Sequence, residues 1–338
     1  MNVLTVENLK TSFFTSKGEV PAVNGISIDV PAGKIIGIVG ESGCGKSMTA
    51  MSIMHLIRHP GRIVSGSIRL EGKELVTLSE NEMSRIRGDK LSMIFQEPMT
   101  SLNPVVTVGK QVCEAIRVHQ NVSAAEARKR VIRIFEEVGI PEAEKRYDSY
   151  PHQLSGGLRQ RVMIGMAMVC QPKVMIADEP TTALDVTIEA QILRLMKKLC
   201  TDFGTSIILI THNMGVIAEV CDYVYVMYAG KVMEQAETFE LFDHTLHPYT
   251  AGLLKSIPRL TENPKRLYTI EGVVPNLLRL PKGCSFCNRC ECAEEKCFLE
   301  KPELYDEGCQ GESDCGGHKV RCFRFEKGAA DREGGKRE

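Results

Sequence analysis

Several things that a chain of 338 residues might carry are missing here, and each absence excludes a class of protein. No apolar run approaches the roughly 20 residues that a helix needs to cross a bilayer. The start, Met1-Asn2-Val3-Leu4-Thr5-Val6-Glu7, lacks the charged-then-apolar order of a secretory leader, so the expectation is a protein that stays in the cytoplasm. Charge of one sign is not in excess either: 42 Lys and Arg stand against 43 Asp and Glu, interspersed, which argues against a nucleic-acid surface. The length suggests two domains, at a prior of about 150 residues each, and the 43% apolar content is that of a soluble globular protein.

Cysteine is unevenly spread. Eight of the 13 cysteines lie between Cys284 and Cys322, whereas Cys44, Cys113, Cys170, Cys200 and Cys221 are scattered among apolar neighbours and read as small buried hydrophobes. In a reducing cytosol structural disulfides are unfavourable, so the cluster points to metal binding. Thiolates gathered without a cation would repel one another and react.

The stretch around which the rest is organised is Gly40-Glu41-Ser42-Gly43-Cys44-Gly45-Lys46-Ser47, between the apolar run Ile35–Val39 and the helix-like Met48–Ile57. Such a loop turns backbone N–H groups onto phosphate oxygens, its lysine reaches the terminal phosphates and its hydroxyl completes a magnesium shell. Upstream, Leu4–Leu9 and Ala22–Val30 alternate as half-exposed strands about a turn at Lys17-Gly18-Glu19, which predicts an antiparallel sheet ahead of the cradle. Phe13 and Phe14 lie where that sheet could present an aromatic face to a purine ring or simply pack in the core.

Downstream, Leu91–Phe95 reads as a short strand ending on Gln96, followed by the proline-bounded loop Glu97–Pro104. Helices are predicted over Val108–His119 and Ala124–Val138, the second capped by Ser123. Leu154-Ser155-Gly156-Gly157-Leu158 opens another helix, with Ser155 as the cap and paired glycines able to receive an anion. Val174–Glu179 is an apolar strand ending in two carboxylates; beside a phosphate cradle, Asp178 is placed to hold magnesium and Glu179 to polarise water. Thr181–Asp185 precedes a helix from Val186 to about Leu199, and the buried strand Ser206–Ile210 ends on Thr211-His212. Ligands bind at that carboxyl edge of open parallel sheets. Tyr223–Tyr228 and Lys231–Glu234 form a hairpin about Ala229-Gly230, and His247-Pro248-Tyr249 starts a helix to about Ser256. Prolines then become frequent, placing a boundary within residues 236–260, and the charged, glycine-rich end from Lys327 reads as disordered.

Read in order, these pieces resemble the nucleotide-binding subunit of ATP-binding cassette (ABC) transporters, over residues 3–255. Gly40–Ser47 is similar to the Walker A loop, Gln96 to the Q-loop glutamine and Leu154–Leu158 to the signature. Val174–Glu179 is similar to Walker B, Ala183-Leu184-Asp185 to the D-loop and His212 to the switch histidine. The resemblance implies an α/β P-loop fold with a parallel core sheet, an antiparallel β subdomain and a helical subdomain over about 97–170. It implies ATP and Mg2+ as cofactors and activity as a dimer of cassettes, in which Ser155 and Gly157 of one subunit, with Asp185, complete the site of the other. ATP would then contact Phe13, Gly40, Ser42, Gly43, Cys44, Gly45, Lys46, Ser47 and Met48; Ser47, Gln96 and Asp178 would surround magnesium; and Glu179, His212 and Gln96 would serve catalysis. Leu158 departs from the family's glutamine.

A narrower likeness comes from Gln96–Pro104, Gln153–Arg161, His247-Pro248-Tyr249-Thr250 and the tail pattern Gly283-Cys284-Ser285-Phe286, Arg289-Cys290, Cys297, Pro302 and Cys322. These resemble the dipeptide, oligopeptide and nickel importer subfamily. That likeness implies a small loop-rich domain over 256–326, stapled by a 4Fe-4S cluster on Cys284, Cys290, Cys297 and Cys322. Zinc stays open as the alternative, although no second Cys-x-x-Cys pair closes a ribbon. The partners it implies are a second ATPase subunit, two membrane permeases and, through them, an extracytoplasmic solute-binding protein, at the cytoplasmic face of the membrane. A soluble cassette ATPase acting on ribosomes or DNA, or a redox-sensing module with a vestigial cassette, are the rival classes.

Overall fold

The computed structural model describes residues 1–96, 101–182, 184–257, 268–307 and 317–326. Two sheets meet at the phosphate loop. The first is antiparallel, in the order β2-β1-β4-β5, from β1 (Asn2–Thr15), β2 (Gly18–Pro31), β4 (Gly61–Leu70) and β5 (Lys73–Glu74). Its hairpin turns where the sequence places it, with Thr15 paired to Gly18, but both strands run several residues past the alternating segments. Leu4, Val6, Leu9, Ile26, Ile28 and Val30 supply its buried face.

The second sheet runs β11 (Tyr305–Asp306), β12 (Lys319–Val320), β10 (Lys231–Glu237), then β9-β3-β8-β7-β6. Its centre is β3 (Ile35–Val39), β8 (Ser206–Thr211) and β7 (Val174–Asp178), flanked by β6 (Leu91–Ile94) and β9 (Tyr223–Tyr228), all parallel. Every residue of β3, β7 and β8 is buried, which explains why these strands read as unbroken apolar runs rather than alternations. Parallel strands point their carboxyl ends the same way, so Gly40, Gln96, Glu179 and His212 all emerge at one edge.

The helical block begins with Val108–His119 and Ala124–Glu137. Each buries one stripe, Val108, Val112, Cys113 and Ile116 on the first and Ala127, Val131, Ile134 and Phe135 on the second. Ser123 caps the second by accepting from Glu126 N–H. The helix after Asp185 runs on to Phe203, four residues past the segment expected to be helical, and Gly204 in the left-handed region ends it.

The Pro248–Lys255 helix precedes the C-terminal segment. Beyond it, β12 (Lys319–Val320) pairs with β10 (Lys231–Glu237) and carries β11 (Tyr305–Asp306), so the chain end extends the main sheet. Cys284, Phe286 and Cys287 belong to the same buried cluster as Tyr228 and Tyr249. A short loop-rich segment has too little apolar area for a core of its own and shares its neighbour's. The expected tail from residue 327 lies outside the described residues.

Candidate functional site

The phosphate loop leaves β3 at Gly40, whose φ of 155° and close approach to the Met227 carbonyl admit no side chain; a Cβ there would collide with that oxygen. The helix Lys46–Ile53 starts immediately after the loop. Lys46 is 6% exposed, and its ammonium donates to the carbonyls of Gly40 (2.7 Å) and Glu41 (3.0 Å). The loop therefore holds its cation in a folded-back position from which phosphate oxygens could draw it. Cys44 is buried beneath the loop, and desolvation pushes its thiol above the ordinary range. Ser42 and Gly43 are exposed at the tip, while Met48 is half-buried against the antiparallel sheet's core.

Asp178 ends β7 and is 4% exposed; burial raises its pKa against the opposing hydrogen bond from Ser47. Its Oδ1 has no hydrogen-bond partner. A buried, unpaired carboxylate oxygen beside a serine hydroxyl is the donor set that a hard divalent cation takes, so these residues fit magnesium.

Beyond Asp178 the strand turns sharply, placing Glu179 at φ 46° while its N–H donates to Ile210 O (2.9 Å). Three side chains from three strand ends converge on its carboxylate. Gln96 Nε2 donates to Oε2 (3.1 Å), Thr182 Oγ1 donates to the same oxygen (3.0 Å), and His212 Nδ1 lies 3.1 Å from Oε1. Burial alone would raise the pKa of Glu179, but the hydrogen bonds from His212 and Thr182 hold it below the usual carboxylate value. The Glu179 carboxylate is thus held in its ionised form and oriented by these partners.

Ser155 caps the helix Gly156–Met168, its hydroxyl accepting from Leu158 N–H (3.4 Å). A Cβ on Gly157 would lie 3.0 Å from Ile188, and one on Gly156 would face Leu184, so the signature loop lies against the start of its own chain's Val186–Phe203 helix. Asp185, at that helix's N-cap, makes no side-chain capping bond and is exposed. Phe13 sits on β1 with its ring over Gly61 and near Ile57, while exposed Phe14 stacks under Arg62, whose guanidinium carbon is 4.4 Å from the ring centroid.

The chain is similar to several known proteins. The family description "ABC transporter" matches residues 23–182, and "Oligopeptide/dipeptide transporter, C-terminal region" matches 233–297. The oligopeptide transport ATP-binding protein AppD of Bacillus subtilis is 50% identical over 330 residues, 97% of this chain and 98% of its own length. This chain belongs to the ABC transporter ATP-binding subunits, of the oligopeptide and dipeptide type. OppD of Escherichia coli is likewise 50% identical, over 89% of both chains. Among solved structures, a dimeric post-hydrolysis state of the ABC cassette MJ0796 bound to ADP and Pi superposes with a TM-score of 0.63 at 26% identity, covering 70% of this chain and 98% of that one. The ABC subunit described here is an ATPase.

In this ABC ATPase, Cys284, Cys287, Cys290, Cys292, Cys297 and Cys322 line one cavity together with Phe286, Phe323 and Pro302. Burial, reinforced by neighbouring cysteines, pushes the thiols of Cys284 and Cys290 up to about 11. Among the described residues no group of three or more His, Cys, Asp or Glu could hold a single metal ion, so the expected metal staple is not present as a ready coordination shell. Cys309 and Cys315 lie outside the described residues. Of the scattered cysteines, all five are buried, as small hydrophobes should be.

Three contributors carried no sequence signal strong enough to single them out. Thr182 holds the Glu179 carboxylate. Tyr249 OH accepts from Glu41 N–H at 2.9 Å. Arg289 forms a bidentate ion pair with Glu41, at 2.6 and 3.0 Å. The tyrosine followed the helix-initiating Pro248 and the arginine sat in the Arg-Cys pattern, but neither position announces a phosphate-loop contact.

Proposed function

We propose that this chain is the ATP-hydrolysing subunit of an importer of di- and oligopeptides. It would work at the cytoplasmic face of the membrane as a dimer with a second, paralogous cassette, seated on two permeases that receive solute from an extracytoplasmic binding protein. The observation that carries the hydrolytic part is the convergence of Gln96, Thr182 and His212 on Glu179. The names of the relatives and the C-terminal oligopeptide/dipeptide description support peptide as the solute. Among the described residues no helix is long and apolar enough to cross a membrane.

Gly40, Ser42, Gly43, Cys44, Gly45, Lys46, Ser47 and Met48 would surround the nucleotide's phosphates, with Phe13 toward the base. Magnesium, when bound, neutralises charge developing on the terminal phosphates; Ser47, Asp178 and Gln96 would hold it. Glu179 accepts a proton from, or polarises, the attacking water, and His212 orients that carboxylate and then meets the terminal phosphate. Ser155 and Gly157 would complete the partner's site, with Asp185 beside them. Leu158 contributes only its backbone N–H to the Ser155 cap, so the change from glutamine leaves that cap intact.

The cysteine cavity is proposed to hold a 4Fe-4S cluster through Cys284, Cys290, Cys297 and Cys322. A cluster brings its own sulfides and accepts thiolates spread around a cavity, whereas one zinc ion requires them converged. Six thiols around one pocket support the former.

Replacing Glu179 by Gln is expected to lower steady-state hydrolysis about 10³-fold while MgATP still binds and a closed dimer accumulates on gel filtration. Brisk hydrolysis by that variant would overturn the assigned base. Uptake of labelled peptide by the reconstituted transporter tests the solute; uptake of nickel with none of peptide would replace peptide by the metal.

A further inference from the structure

Glu41 is a meeting point. Its N–H is held by Tyr249 OH (2.9 Å), its carbonyl receives the Lys46 ammonium (3.0 Å), and its carboxylate is gripped by both arms of Arg289 (2.6 and 3.0 Å). Two of these three holds lead to the cysteine-rich segment. Arg289 lies between Cys287 and Cys290 in the one-turn helix Cys287–Arg289. Phe286, one residue before that turn, packs on Tyr249 and Tyr228 with ring centroids 5.3 Å from each.

Arg289 is itself fixed. Its side chain is 5% exposed, Nε donates to Glu271 O (3.0 Å), Nη2 to Ile270 O (3.2 Å) and Nη1 to Tyr228 OH (3.3 Å). With every donating arm of a planar fork engaged, the guanidinium cannot swing while the turn stays in place. The guanidinium is the buried side of this charge-assisted bidentate pair, Glu41 being 27% exposed, so loss of the carboxylate leaves a desolvated charge short of its partner. The constraint therefore runs from the cysteine segment into the loop that receives phosphate.

We propose that Arg289 is a positioning residue for the phosphate loop: through its pair with Glu41, the cysteine-rich segment sets the backbone geometry in which Gly40 to Ser47 bind nucleotide. Loosening that segment, by whatever means, lowers affinity for nucleotide without touching the catalytic group Gln96–Glu179–His212. The proposal rests on the phosphate loop being the ATP site.

The test is a double-mutant cycle on the full chain, with Arg289→Ala, Glu41→Gln and the double variant, reading ATP affinity by calorimetry and KM and kcat by steady-state hydrolysis. Each single change is expected to raise Kd and KM about tenfold, with the double variant no worse than either single, and with kcat at saturating ATP little altered. Arg289→Lys, which keeps the charge but not the fork, should fall between. Lowered melting temperatures with an unchanged Kd would overturn the proposal, as would effects that simply add in the double variant. If Arg289→Ala does not fold, Glu41→Gln against Arg289→Lys supplies the same cycle. Failure of the unaltered protein to bind ATP would instead overturn the reading of the loop as an ATP site.

Discussion

The phosphate loop and the cysteine-rich segment touch at Glu41, yet they hold their shapes in opposite ways. The loop is polar and sits at a sheet edge. Its lysine is met by the backbone carbonyls of Gly40 and Glu41, and the neighbouring strand end keeps an unpartnered carboxylate oxygen, Asp178 Oδ1, on a side chain hydrogen-bonded to Ser47. Among its described residues the cysteine segment has short helical turns at Leu277–Arg279, Cys287–Arg289, Glu295–Leu299 and Phe323–Phe325 beside the two-residue strands β11 and β12, and it leans on its neighbour's tyrosines. The difference teaches that one region is preorganised by regular structure and the other by what it is packed against.

Three experiments sharpen or break this contrast, beside those given above. The largest effect is expected from His212→Ala. The histidine is 65% exposed, so the fold should be unchanged, while loss of the group that orients Glu179 should lower kcat about 10²-fold. Normal turnover would mean that Gln96 and Thr182 suffice to hold the carboxylate.

Next comes Gly283→Ala. Gly283 packs directly against the backbone of Cys297 and Phe298, so an added Cβ must push the two halves of the cysteine segment apart, at a cost of about 1–3 kcal/mol. Thermal unfolding should register that cost, and nucleotide affinity should fall only as far as Arg289 is displaced. Loss of stability with no change in affinity would show the two regions to be independent.

The smallest effect concerns His318, which is 1% exposed between Glu234 (2.8 Å) and Glu240 (3.4 Å) and ties the last strand to the main sheet. Burial alone would lower its pKa, but the hydrogen bonds and charge of those two carboxylates raise it above 6.5. The folded protein therefore keeps this proton where the unfolded chain has lost it. The stabilisation is complete below pH 6.5 and fades as pH rises through the folded value. Melting temperature against pH should fall above 6.5, and His318→Gln should flatten that limb; an unchanged slope would remove His318 from the docking of the tail.

Much of this was legible because the signals are local. Ile35–Val39, Val174–Asp178 and Ser206–Thr211 are apolar runs of strand length; the first leads into the glycine-rich loop, and the other two end on the polar Asp178 and Thr211. The caps at Ser123 and Ser155 follow from side chains that satisfy N–H groups three residues on. The longer first hairpin and the longer Val186–Phe203 helix were less legible, because tertiary packing extends elements past the point where periodicity fades.

The sequence by itself determined the order of the motifs, the phosphate loop, the strand-end carboxylates and histidine, and the clustering of cysteine near the C-terminus, since each depends on residue type at short spacing. Only the tertiary structure decided that the C-terminal end joins the main sheet, that Thr182 shares Glu179 with Gln96 and His212, and that Arg289 reaches Glu41 across 248 residues of chain. An arginine in a loop and a glutamate in a glycine turn carry no mark of one another. Their pairing is favoured by the packing of Phe286 on Tyr228 and Tyr249, which brings a largely buried guanidinium to the side of an opposite charge.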